Sequence, residues 1–455
     1  MKEGPQGLKG SNLQPPTSNF RTVAIATLGC KVNQYESSSI AGMFRARGYS
    51  VVDFKDRADV YVINTCTVTH LGDRKSRQLI RRAVKSNPGG LVVVTGCYSQ
   101  VSPGEVLEIP GVDLVMGTGD RSRIVDMVEK MEKGRKTNAV RESGQFREFE
   151  ELPAVAATGR VRAFLKIQEG CDNFCSYCIV PFARGPLKSR DPGGILKEAR
   201  ELAAAGYREI VLTGIHTGAY GKDKAGGMSL ASLLEELAGI DRLARIRLSS
   251  VEPLDITGDL ISLLAQGPPF CPHLHIPLQS GDDSILKAMR RHYSGDYFRN
   301  LVAAVRDKIS DVSITTDVIV GFPGESDENF MNTYNLIREL KFSALHIFKY
   351  SPRKGTAAAG FPNQVPPGVK EERSSMLIAL GKDLANEFAS RYLGKNVEVL
   401  VEESVEGLSG MVRGHTPNYL LAAFPGDPGM RGRLAQVRAE KLSGGLLKGR
   451  IIKMY

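Results

Sequence analysis

Six of the chain's seven cysteines fall into two groups of three. The tighter group is Cys171, Cys175 and Cys178, a CxxxCxxC pattern within EGCDNFCSYC. Three soft thiolates on one loop can hold a [4Fe-4S] cube by three of its corners, which leaves the fourth iron without a nearby protein ligand. An open metal position is what catalysis on a bound small molecule requires. A structural zinc ion would need a fourth Cys or His at close spacing, and none lies within thirty residues of this loop.

In the second group, TLGC, INTC and VTGC put Cys30, Cys66 and Cys97 each directly after an apolar run of strand type. Loops at the C-terminal ends of an open parallel sheet line one crevice. The three can therefore meet, although they lie 36 and 31 residues apart. One such cysteine would be ordinary core; three at equivalent positions point to a second three-thiolate cluster. Cys271, in PPFCPHLH, has no partner spacing and reads as a core thiol. His216, His273, His275 and His292 are scattered and receive no catalytic role, because a lone histidine in an apolar strand is more often packed and hydrogen-bonded. Glycine-rich turns such as TGIHTGAYG, which contains Gly214, follow strands, where a bare backbone can approach a ligand or simply turn tightly. Glu252 and Gln279 lie just after the third and fourth strands of their region, positions that suit either a barrel mouth or helix capping.

These residues need elements to carry them. From Val23 to about Met131, short apolar runs alternate with helical patterns, which predicts an open parallel α/β sheet over residues 21–133. Residues 134–156 are charged and aperiodic and read as a linker. Six further strand candidates follow, RAFLKIQ, REIVLTG, RIRLSS, HLHIPLQ, SITTDVIVG and SALHIFKY, most of them separated by helices. They predict a partial (β/α)6 barrel over 157–388 whose reactive groups gather at the strand C-terminal ends. Residues 389–455 carry short alternating strands and predict a small β-barrel.

Residues 1–20 are polar, rich in Gly and Pro, and lack the apolar centre of a signal peptide, so they read as a disordered tail on a cytoplasmic chain. No apolar run approaches the roughly twenty residues of a membrane helix, so no membrane partner is expected. A net charge of +10 suits an anionic partner. Seven of the last 25 residues are Lys or Arg against one acidic residue; Arg431, Arg433, Arg438 and Lys448 are the candidate RNA contacts, the alternative being a solubilising face. The run DRKSRQLIRRAVK puts Arg74, Lys75, Arg77, Arg81, Arg82 and Lys85 on one helix near Cys66, either as a phosphate grip or as a solvated face.

Taken together, these motifs resemble the radical S-adenosylmethionine (SAM) methylthiotransferases along nearly the whole chain, from about Arg21 to Tyr455. The resemblance implies an N-terminal cluster domain, a radical SAM core and a C-terminal TRAM domain. By resemblance, Cys171, Cys175 and Cys178 hold the cluster that binds SAM, and Tyr177 lies on the adenine side of SAM; from their places after strands, Gly214, Glu252 and Gln279 are the further candidate SAM contacts. Cys30, Cys66 and Cys97 match the auxiliary cluster that handles sulfur. Within the family, TLGCKVNQYES and NTCTVT followed by DRKSRQ look like the branch acting on N6-threonylcarbamoyladenosine at position 37 of tRNA.

The reaction so implied is one-electron cleavage of SAM, hydrogen abstraction from C2 of the adenine, and insertion of a sulfur methylated by a second SAM. The expected partners are tRNA, an electron donor and a sulfur source, and the chain is expected to be a monomer. Two rival substrates keep the chemistry: isopentenyladenosine-37 of tRNA and an aspartate of a ribosomal protein. A rival of another class is a non-catalytic RNA-binding protein with structural zinc.

Overall fold

The computed structural model describes residues 22–153, 160–408 and 410–455; the expected tail at 1–20 lies outside the described residues. The chain forms two compact units. One runs to Phe146 and takes in Glu150–Val155 and Phe182–Arg184; the other holds Arg147–Phe149, Ala156–Pro181 and Gly185–Tyr455.

In the first unit, β1 (Thr22–Thr27), β2 (Ser50–Val52), β3 (Val60–Thr65), β4 (Leu91–Gly96), β5 (Leu114–Val115) and β6 (Thr137–Asn138) build one parallel sheet in the order β2-β1-β3-β4-β5-β6. Every residue of β3 and β4 is buried. Val60, Val62 and Val93 enter one core, and Tyr61, Ile63 and Val94 the other, on opposite faces of the sheet. Burial on both faces is why VYVINT and LVVVTG read as unbroken apolar runs. The sixth strand comes from within the stretch read as a linker; two residues paired with Leu114 and Val115 are too few to leave a period in the sequence.

The second unit carries the six strands expected of a partial barrel. Strands β7 (Arg162–Lys166), β8 (Glu209–Thr213) and β9 (Arg245–Leu248) pair in the parallel order β9-β8-β7, and β10 (His273–His275), β11 (Ser313–Val320) and β12 (Ala344–Lys349) pair in parallel in that order. Single bridges, Ile246 to Phe270 and Ser250 to His275, join the two sheets. Leu165, Ile210, Leu212, Ile246, Leu274, Ile314 and Val318 pack into one core. Because strand side chains alternate, Arg162, Lys166, Glu209, Arg245, Arg247, His273, His275 and Asp317 face the other way, giving the barrel a polar inner face.

A helix of 24 residues, Pro367–Ser390, leads to the C-terminal strands. There β13 (Asn396–Ser404), β14 (Met411–His415), β15 (Leu421–Pro425), β16 (Leu434–Ser443) and β17 (Leu446–Met454) close into a barrel in the order β13-β14-β15-β17-β16, around Val399, Val401, Phe424 and Val437.

The loop from His415 to Tyr419, between β14 and β15, closes one end of the six-stranded barrel. Arg245 donates to His415 O at 2.9 Å and Arg247 to Pro417 O at 2.8 Å, while Arg247 Nε donates to Glu209 Oε1 at 2.7 Å. The Tyr419 ring stacks on His273 at 4.7 Å and on His415 at 4.5 Å, with the Arg247 guanidinium 4.8 Å above it. Glu209, Arg245 and His273 are the first residues of their strands, so this is the end opposite the strand C-termini. Burying these charges is tolerable only because each is paired; removing one member costs about 3–5 kcal/mol.

Candidate active site and its two groups of thiols

In the first unit, Cys30 is the N-cap of α1 (Lys31–Ala46), Cys66 follows β3, and Cys97 opens α2 (Cys97–Val101) after β4. Since β1, β3 and β4 are neighbours, the three cysteines meet at one edge of the sheet, and each thiol lies within the field of the others. Two glycines permit this. Gly29 has φ +100°, and a Cβ there would stand 2.9 Å from Cys66 Cβ and 3.1 Å from its sulfur. Gly96 has φ +98°, and a Cβ there would stand 2.5 Å from both Asn64 Oδ1 and Thr65 O. A side chain at either position would push one cysteine loop away from its neighbour.

Burial pushes Cys97 up to about 12 and raises Cys66, while the positive charge of Arg184 opposes the shift at both. Arg184 Nε donates to Cys97 Sγ at 3.2 Å, Nη1 to Glu36 Oε1 at 2.6 Å and Nη2 to Asn33 Oδ1 at 2.5 Å. Asn33 Nδ2 in turn holds Leu28 O at 2.7 Å and Thr65 O at 2.9 Å.

In the second unit, the CxxxCxxC loop follows β7 and is pinned by Ser176, whose N–H donates to Met289 O at 3.0 Å and whose hydroxyl donates to Ala288 O at 2.7 Å. The Cys178 N–H closes a turn on Cys175 O at 2.9 Å. Arg291 donates to Cys175 Sγ at 3.3 Å and is itself paired with Glu252. His216 Nδ1 lies 3.7 Å from Cys171 Sγ, and its Nε2 lies 2.6 Å from Asp255 Oδ2. Burial alone would lower His216, but Asp255 and Cys171 together raise it to about 10. A cavity of about 310 Å³ opens here, lined by Cys175, His216, Glu252, Asp255, Arg291 and Tyr293 among others. Burial pushes Cys178 up to about 12 as well. The buried thiols Cys66, Cys97 and Cys178 are therefore protonated until a metal displaces the protons.

The spacing of the sulfurs bears on the metal alternatives. In neither group do all three sulfurs lie within 4.8 Å of one another. A single tetrahedral zinc at 2.3 Å would hold thiolates about 3.8 Å apart, whereas a four-iron cube holds its ligands on separate corners. Three thiols in each set suit three corners of a four-iron cube, with the fourth corner left without a protein ligand. Cys271 is buried elsewhere, in the field of Arg247 and Glu209, and supplies neither group.

The other residues singled out from sequence are dispersed. Glu252 faces the cavity through Arg291. Tyr177 packs against the apolar cluster of Met289, Ile319 and Phe322. Gln279 is buried at φ +63°, its N–H donating to Asp317 O at 2.8 Å. Gly214 lies against Gln168, whose Oε1 accepts the N–H of His216 at 2.7 Å. On the inner face, Asp317 Oδ1 sits 3.1 Å from both His275 Nε2 and His346 Nδ1; these bonds outweigh burial and hold the carboxyl well below its usual range. On the small barrel, Arg431, Arg433 and Arg438 are exposed and Lys448 is half-buried. On the helix His70–Ser86, Arg74, Lys75, Arg81, Arg82 and Lys85 are exposed, while Arg77 bonds Tyr98 Oη at 3.1 Å.

Sequence reasoning passed over Arg184, Asn33, Glu36, Arg291 and Asp255, and gave His216 no role. Each reaches a cysteine directly or through one partner. The available signal was weak: charged residues in otherwise apolar segments, such as Arg184 in IVPFARG.

Family models match the two α/β regions: "uncharacterized protein family UPF0004" over residues 22–117 and the radical SAM superfamily over 165–337. The chain is 47% identical to the threonylcarbamoyladenosine tRNA methylthiotransferase MtaB of Bacillus subtilis, over 95% of this chain and 97% of that protein. It is 38% identical to the MtaB of Thermotoga maritima, over 93% and 95%, and 36% identical to the tRNA-2-methylthio-N(6)-dimethylallyladenosine synthase of Moorella thermoacetica, over 95% and 98%. Among solved structures, the radical SAM methyltransferase TsrM from Kitasatospora setae shares the fold, with a TM-score of 0.52 at 15% identity, over 87% of this chain and 80% of that one. The chain belongs to the radical SAM methylthiotransferase family of tRNA-modifying enzymes.

Proposed function

We propose that this enzyme transfers a methylthio group to C2 of N6-threonylcarbamoyladenosine at position 37 of tRNA. The observation that carries the reading is a pair of open three-thiol sites in a chain 47% identical, end to end, to a relative named for that substrate. Cys171, Cys175 and Cys178 would hold the [4Fe-4S] cluster that binds SAM, and Cys30, Cys66 and Cys97 would hold a second one. When bound, the cluster and SAM supply one-electron cleavage of the sulfonium, which makes an unactivated C–H bond such as adenine C2–H reactive.

The chain's own residues prepare the ground for that chemistry. Arg291 fixes the Cys175 sulfur and is neutralised by Glu252 at the cavity wall. His216, locked to Asp255, holds a positive charge beside Cys171. Burial of Arg291 and Asp255 strengthens both contacts. The electron donor and the sulfur source are separate partners of the reaction.

Anaerobic incubation of the reconstituted enzyme with tRNA, SAM and a reductant, followed by nucleoside mass spectrometry, tests the reading. The expected product is 2-methylthio-N6-threonylcarbamoyladenosine. Product on isopentenyladenosine alone, or on a ribosomal-protein aspartate, overturns the substrate assignment.

RNA contact through the small barrel is supported by like charges facing each other across β16 and β17, Lys441 opposite Lys448 and Arg438 opposite Arg450, of which only Arg450 has an acidic partner among the described residues, Glu440 at 2.8 Å. Such pairs are destabilising unless an anion sits over them. Reversing Arg431, Arg433 and Lys448 to Glu is expected to weaken tRNA binding and flatten its salt dependence by up to about two to three units of slope. SAM cleavage without tRNA should not change. Unaltered affinity and slope in the folded variant would move tRNA contact to the helix bearing Arg74 and Lys85.

A further inference from the structure

The two-cluster reading assigns a role to the cysteines but none to the buried charge beside them. Arg184 lies six residues after Cys178 in sequence, yet it packs into the N-terminal unit, where its side chain is fully buried against a fully buried Glu36. Its guanidinium reaches Cys97 directly and the other two cysteine loops through Asn33. Nε meets Cys97 Sγ at 3.2 Å. Nη2 meets Asn33 Oδ1 at 2.5 Å, and the same oxygen lies 3.8 Å from Cys30 Sγ. Asn33 Nδ2 then clamps Leu28 O and Thr65 O, two residues before Cys30 and one before Cys66. Arg121 also approaches Glu36, at 3.2 Å.

A guanidinium is costly to bury and is placed like this only where its fork is used. We infer that Arg184 is a positioning residue for the N-terminal cluster: held by Glu36, it fixes the Cys97 thiolate and sets that cluster's reduction potential. The inference rests on the proposal that Cys30, Cys66 and Cys97 hold a cluster. Its physical basis is general. Hydrogen bonds to cluster sulfurs and nearby positive charge favour the more negative, reduced state, and nearby negative charge disfavours it.

The consequence is a pair of changes with opposite signs. In the reconstituted full-length enzyme, a potentiometric titration followed by electron paramagnetic resonance reads two cluster signals, and the one that SAM leaves unchanged belongs to the N-terminal site. Arg184→Gln is expected to shift that midpoint to lower potential, by removing a cation and an N–H···S bond. Glu36→Gln is expected to shift it higher, by removing an anion from the same network. Arg184→Lys, which keeps the charge and loses the fork, should fall between wild type and Arg184→Gln. If Arg184→Gln does not fold, Arg184→Lys and Glu36→Gln still give the opposed shifts. Midpoints that stay at the wild-type value, or move in the same direction in the Arg184 and Glu36 variants, overturn the inference. A wild-type enzyme with about four iron atoms per chain and no second signal overturns the two-cluster reading instead.

Discussion

Replacing Cys175 by alanine is expected to abolish formation of 5′-deoxyadenosine from SAM while leaving about half of the wild-type iron in place. Cys175 is the buried member of its loop and the one whose sulfur Arg291 grips at 3.3 Å. A [4Fe-4S] cube held by two thiolates has two exposed irons and is readily lost, and without it nothing delivers an electron to the sulfonium. The rest of the loop should keep its shape, because Ser176 anchors it to Ala288 and Met289 through bonds that do not involve the thiol. Iron analysis and chromatography of the reductive cleavage products provide the check. A folded Cys175→Ala enzyme that still makes 5′-deoxyadenosine at the wild-type rate would show that this loop does not hold the SAM-binding cluster.

The second expected result is a separation of activities. Cys66→Ala should still cleave SAM reductively, but should form no methylthiolated nucleoside, a loss of at least about three orders of magnitude in product for a residue whose unit fails as a whole. The reason is position. Cys66 packs against Gly29, beside Cys30, and no residue of that set belongs to the CxxxCxxC loop. Full product formation by the variant would remove the case for sulfur handling at Cys30, Cys66 and Cys97. Loss of SAM cleavage in a protein that keeps the other cluster would argue that the N-terminal site is needed for radical generation as well.

What could be read from the residues, and what could not, follows from sequence distance. Cys30, Cys66 and Cys97 were legible because each ends an apolar strand, and parallel order brings equivalent strand ends together whatever the loop length. The six strands of the partial barrel were legible for a similar reason, since helices covering the sheet demand apolar residues at every second position. Long-range polar contacts leave no such trace. Arg184 meets Glu36 across 148 positions and Arg291 meets Cys175 across 116, and no local period reports either. His216 looked like a packed strand-end histidine, and only the fold brings Asp255, 39 positions away, to its ring. Thr137–Asn138 escaped notice because two residues suffice to extend a ladder but not to set an alternation.

The loop ending in Tyr419 bears on how the protein can be dissected. The small barrel looks detachable, a module that a truncation before Asn396 would remove to leave a minimal catalyst. Arg245 and Arg247 argue otherwise, because their guanidiniums are satisfied by carbonyls of His415, Thr416 and Pro417. Cutting there would strip the carbonyl partners from two buried cations, leaving Glu209 to hold both, and admit solvent from below into the chamber where a radical must be kept from water. A shortened enzyme would lose its floor along with the proposed RNA surface. Uncoupled SAM turnover in such a fragment would report a leaking vessel, and would say little about how tRNA is recognised.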